Sequence, residues 1–147
     1  MGIWSWLIGA ALSDVPAELG VVDRESVSMG DDARSHRREL RGRAGSLVDD
    51  VVERSSPDVR EHGWSWVAVV DGTVVAVWSV DHGVALLVPN RPLTASDPTG
   101  VVQMRFLYFG QLDPAWLHGR LAQGAPLDWE ALAAEHAPLA QTVLERE

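Results

Sequence analysis

The sequence predicts an α+β domain. A four-stranded, mainly antiparallel meander sheet, over about residues 64–109, is flanked by N-terminal and C-terminal helices. Three observations lead there. An Asp71-Gly72 pair sits between two runs of β-branched and aromatic residues, the signal for a hairpin with a type I′ turn. The strand patterns follow one another along the chain, and the helical patterns lie before and after them, not between. That order suits separated strands and helices, not parallel α/β units. A length of 147 residues fits one domain, residues 1–147, with enough chain to bury a core without staples.

The hairpin from Trp64 to Val80 has a consequence of its own. With Asp71 and Gly72 as the loop, Val70 faces Thr73, Ala68 faces Val75, Trp66 faces Val77 and Trp64 faces Ser79. The opposite face carries Ser65, Val67, Val69, Val74, Ala76 and Trp78. A sheet with one wet face alternates apolar and polar residues, and this one does not. Both faces therefore need a cover, supplied by the helices at the two ends or by another subunit.

The remaining elements are placed in order. Residues 1–12 are apolar and read as a short helix or a docking arm; with no basic leader they make a poor signal peptide and are too short to span a bilayer. A strand is expected near Gly20-Val22. Residues 33–55 read as a helix capped by Asp32, because Leu40, Ala44, Leu47, Val48, Val51 and Val52 fall on one helical face. Gly42 and Gly45 weaken that helix, and Pro57 ends it. Strands are expected at about 64–70, 73–80, 84–88 and 101–109, with Asp81-His82-Gly83 as a second tight turn. Residues 89–100 hold three prolines and end in glycine, an irregular loop long enough to suggest a function. Asp113-Pro114 caps a helix over 115–123. Asp128 caps another from Trp129 to about Ala137, where Pro138 kinks or restarts it.

Composition narrows the chemistry. The chain has no cysteine, which removes disulfides and thiolates, fits a reducing compartment and leads to a cytoplasmic expectation. All 12 basic residues are arginine, as the codon bias of a GC-rich bacterial genome produces. Lysine chemistry, including Schiff bases and a phosphate-loop lysine, is therefore excluded. No glycine-rich phosphate loop, calcium loop or nucleophile elbow occurs, and no motif points to a cofactor. Of the five histidines, His118 and His136 come nearest to a metal set, with Asp113, Glu130 or Glu135 beside them. Asp81-His82 resembles an acid–base pair by adjacency alone.

The residues that point to a function are charged or aromatic. Arg34, Arg37, Arg38, Arg41 and Arg43 fall within ten positions. Such a cluster needs anions, from this chain or from a partner. Trp64 and Trp66 share one side of their strand, and tryptophan at a rim is a common interface anchor. Asn90, Arg91 and Asp97 lie in the proline-rich loop. Arg105 interrupts an apolar strand, so it sits at an edge or pairs with a buried carboxylate.

These residues suggest a non-catalytic module, of antagonist (immunity-type) or adaptor kind, that holds a protein partner. One alternative is a small-ligand pocket or hydrolase site between sheet and helices, lined by Trp66 or Trp78 with His82 or His118 and Arg105. Another is self-assembly through an apolar sheet face. Net charge of −9 disfavours nucleic acid. Contact of Trp4 and Trp6 with a membrane surface is an alternative to their docking on the core.

Overall fold

The computed structural model describes residues 16–43, 45–95 and 98–146. The apolar segment 1–12 and Asp97 lie outside them. Six strands run in the order Pro16–Arg24 (β1), Arg38–Arg43 (β2), Trp66–Val70 (β3), Thr73–Ser79 (β4), Gly83–Leu86 (β5) and Val102–Tyr108 (β6). Helices span Val48–Arg54 (α1), Pro114–Ala122 (α2) and Trp129–Arg146 (α3), and Asp31–Ala33 is a short 3-10 turn. The class is α+β. The sheet is six-stranded and mixed, ordered β2-β1-β6-β3-β4-β5. The pair β1–β6 is parallel, and the other neighbours are antiparallel.

The four-stranded expectation is therefore too small, and its largest error is the helix over 33–55. Only Val48–Arg54 is helical. Residues 38–43 form an edge strand whose burial alternates from Glu39 on, with Leu40 and Gly42 inside and Glu39, Arg41 and Arg43 outside. Leu40 belongs to this strand, and the helical stripe begins at Val48. Period two fits the same residues, and pairing with β1 decides between them. The Asp32 cap fails with that helix. The strand near Gly20-Val22 is present and longer than expected.

The hairpin turn is as read. Asp71 and Gly72 have φ of 47° and 84°, the two positive angles of a type I′ turn. The register differs. Val70 faces Thr73 and Val69 faces Val74, but then Ala68 faces Ala76 and Trp66 faces Trp78. Val75 is the extra residue of a bulge. It brings both tryptophans to one buried face instead of setting Trp66 against Val77.

Two cores lie on opposite faces of the sheet. Trp66, Ala68, Val70, Val75, Trp78, Met104 and Phe106 pack with Val48, Val51 and Val52 of α1. Val67 and Val77, with Leu107 and Val69 beside them, pack with Leu117 of α2 and Leu132 of α3. Helices on either side of the strands thus cover the doubly apolar hairpin. Asp113 caps α2, its Oδ2 accepting from Trp116 N at 2.8 Å. The helix does not restart at Pro138, and α3 continues through it to Arg146. Ala134 and Pro138 are exposed, so the carbonyl that proline leaves without a donor is open to water. Among the described residues no helix is long and apolar enough to cross a membrane.

Candidate protein-binding surface

Helices α2 and α3 cover only part of their face. Over β2, β1 and β6 that face carries Glu39, Arg41, Asp23, Gln103 and Arg105, all exposed. A hollow of about 520 Å³ opens here, lined by Val21, Asp23, Arg37, Val69, Asp71 and Arg105 among others. Arg105 is thus neither at an edge nor paired with a buried carboxylate. It stands on an inner strand, opposite Asp23 and Val69 in register, where no helix overlies it among the described residues.

The carboxylates here are engaged. Asp23 Oδ1 accepts from Arg24 N at 2.8 Å, and Asp71 Oδ1 accepts from Gln103 N at 2.9 Å. The Arg37 and Arg105 side chains make no hydrogen bond or ion pair with the described residues. Their planar donor sets are free for carboxylate or phosphate. Sequence reading had singled out both residues, and the fold brings them to one hollow.

A partly buried network holds the Arg34–Arg37 segment in place. Arg24, 6% exposed, gives two hydrogen bonds to Asp31, at 2.6 and 3.0 Å, and one from Nε to Asp58 at 2.7 Å. Val27 N donates to Asp31 at 3.0 Å, and His36 Nε2 donates to the Asp31 carbonyl at 2.9 Å. Arg24 is therefore raised above its usual range, mainly by the Asp31 hydrogen bond. Asp31 is held far below the carboxylate range by the Arg24 and Val27 donors, and Asp58 is lowered by Arg24. Nothing in the sequence distinguishes Arg24 from the other arginines, so the network was missed. Its signal, a charged pair ending an apolar strand, is common to many edges.

The other candidates are dispersed. Arg34 and Arg38 border a smaller recess of about 150 Å³ with His36 and Asp58. Arg38 faces the α1 side, where Nη2 donates to Ser55 O at 2.9 Å. Arg41 pairs with Glu39 at 2.5 Å. Trp64 and Trp66 both lie against Tyr108, with ring centroids 5.2 and 5.1 Å apart, and Trp66 is only 1% exposed. Asn90 caps α1, Oδ1 accepting from Asp49 N at 3.1 Å, and the Arg91 carbonyl accepts from Val48 N at 3.0 Å. Both tie the loop to the core.

Comparison with protein-family models, curated proteins and solved structures finds no match.

The histidines go separate ways. His118 Nε2 donates to Leu86 O at 2.7 Å, whereas His136 Nε2 accepts from Asp113 N at 3.3 Å. No three metal-ligating side chains converge among the described residues. Asp81 pairs with His62, at 2.6 Å, and not with its neighbour His82. The Gly63 N–H and the His62 ring, in that order, lower Asp81. This dyad is exposed, with His62 79% open on its side chain. Trp66 and Trp78 lie in the α1-side core and Arg105 on the opposite face. The ligand pocket that these residues would have formed is not assembled by them.

Proposed function

We propose that this chain is a non-catalytic protein-binding module, of antagonist or adaptor kind, that presents the open half of its sheet to an acidic surface on a partner. The observation that carries this reading is the meeting of Arg37 and Arg105 in one hollow, where Asp23 and Asp71 accept backbone N–H groups and neither guanidinium pairs with a described residue. A bidentate guanidinium suits carboxylates, and exposed arginine with nothing to hold is common at interfaces. The chain's net charge of −9 repels an acidic partner at long range. Recognition therefore rests on local geometry more than on steering.

The test compares the tagged full chain with an Arg37→Glu/Arg105→Glu variant, each used to capture proteins from cells that express it. Both residues are exposed, so circular dichroism should match. A stoichiometric partner held by the wild type at low salt and absent from the variant supports the reading. Equal recovery by both, or no stoichiometric partner, overturns it.

A further inference from the structure

We propose that the outer edge of β2 takes up an extended acidic segment of the partner as a seventh strand. This inference rests on the protein-binding reading above and names its mode. β2 ends the sheet, and among the described residues it pairs with β1 alone. Ser46 takes the Arg43 N–H and donates to the Arg43 carbonyl, each at 3.0 Å. The outward backbone groups of residues 38–42 make no hydrogen bond with the described residues and are open for strand addition, a common route of peptide recognition.

Charge selects the occupant. Residues 34–43 hold five arginines and one glutamate, a net of +4 inside a chain of net −9. The rest of the molecule is correspondingly acidic, so the segregation is local and strong. Arginine stands on both sides of the strand. Arg38 accompanies the buried Leu40, with Arg54 beside it in a recess of about 360 Å³ along this edge. Arg41 and Arg43 alternate to the other side of the strand and border the same edge recess. Arg41 is paired with Glu39 and Arg54 with Asp50. The Arg34, Arg37 and Arg43 side chains make no hydrogen bond with the described residues.

An added strand would run about 4.8 Å from β2, with side chains alternating to the two sides. Carboxylates on either side would meet these guanidiniums. The same charges disfavour a second copy pairing through its own β2, since +4 would face +4. A charged edge that only prevents self-pairing would bind no acidic strand, and that difference is measurable.

The probe is a fluorescein-labelled ten-residue peptide of alternating Glu and Val, read by fluorescence anisotropy with the full chain. A Lys–Val peptide and a ten-nucleotide single strand serve as comparisons. The Glu–Val peptide should bind about tenfold or more tighter than either, weaken with salt, and slow amide exchange at residues 38–43. An Arg41→Glu/Arg43→Glu variant should lose about tenfold or more of the affinity, while Arg120→Gln, on α2 where its partner is Glu135, keeps most of it. Peptide binding without slowed exchange on β2, an unaffected edge variant, or preference for the oligonucleotide overturns edge docking. If the edge fails while partner capture still depends on Arg37 and Arg105, the protein-binding reading stands without it. If both fail, both fall.

Discussion

Gly20 faces Val102 across the parallel β1–β6 pair, so closely that a Cβ on Gly20 would stand 1.8 Å from the Val102 carbonyl oxygen. The obstacle is backbone in the middle of a sheet, not the tip of a flexible side chain. Only glycine permits this approach. Gly20→Ala should therefore force β1 away from β6 and cost on the order of 3 kcal/mol or more. Urea denaturation of the variant measures it. A loss below about 1 kcal/mol would mean that the two strands separate with little resistance.

Asp71 does two things in the hairpin turn. It accepts a φ of 47°, and its Oδ1 takes the Gln103 N–H at 2.9 Å, locking the turn to β6. Asparagine tolerates the left-handed region and retains an acceptor oxygen. Glycine keeps the backbone freedom and loses the acceptor, and alanine loses both. Stability should fall in the order Asp71→Asn, Asp71→Gly, Asp71→Ala, with alanine about 1–2 kcal/mol below the wild type. Thermal melts of the three variants test the order. Glycine falling below alanine would show that the acceptor and the turn angle are not the governing terms.

The parts of the fold that were legible in the sequence share one property: their signals are local. The Asp71-Gly72 turn, the Asp113-Pro114 cap and the runs through Trp66 and Trp78 each carry their structure within a few residues. What escaped depends on partners far along the chain. Strand β2 looks helical until β1 is there to pair with Arg38–Arg43. The bulge at Val75 exists because Trp66 and Trp78 must both reach the α1-side core. The same division holds for the surface. Arg37 and Arg105 stood out as charges in the wrong company, but their meeting depends on β6 joining β1. The Arg24 network, assembled from residues 24, 31 and 58, left no local trace.

Asn90 provides a test that separates stability from recognition within the proline-rich loop. Its Oδ1 caps α1 from across the loop, accepting from Asp49 N at 3.1 Å. Leu47 precedes the helix without a side-chain cap of its own. Asn90→Ala should cost about 1 kcal/mol, the usual value of a lost N-cap, and Asn90→Asp should keep most of it. Neither should change capture of a partner through Arg37 and Arg105, because the cap supports α1 on the opposite face. A variant that melts normally but loses the partner would instead place the loop in the interface.

The Arg24 network joins stability to pH. Arg24→Met leaves the shape roughly filled but strands Asp31, whose side chain is 10% exposed, without its cation. At pH 7 the loss should be on the order of 3 kcal/mol, a drop of about 10 °C in Tm for a chain of this size. The pH dependence follows from the directions. Asp31 and Asp58 are lowered from 3.8, chiefly by Arg24, and Asp81 is lowered from 3.8 by Gly63 and His62. A lowered carboxylate adds stability above its unfolded value, and that stability is lost as pH falls through the folded value. The wild type should therefore hold its Tm from pH 8 to about pH 5 and lose it progressively below pH 4. Arg24 itself is raised above its usual range, so its own contribution is complete throughout that range. Without Arg24 the main cause lowering Asp31 and Asp58 is gone, so the variant's melting curve should fall less steeply in acid. The gap between the two proteins should narrow from pH 7 to pH 3. Parallel curves across that range would mean that Arg24 stabilises the β1–β2 connection by packing and not by charge.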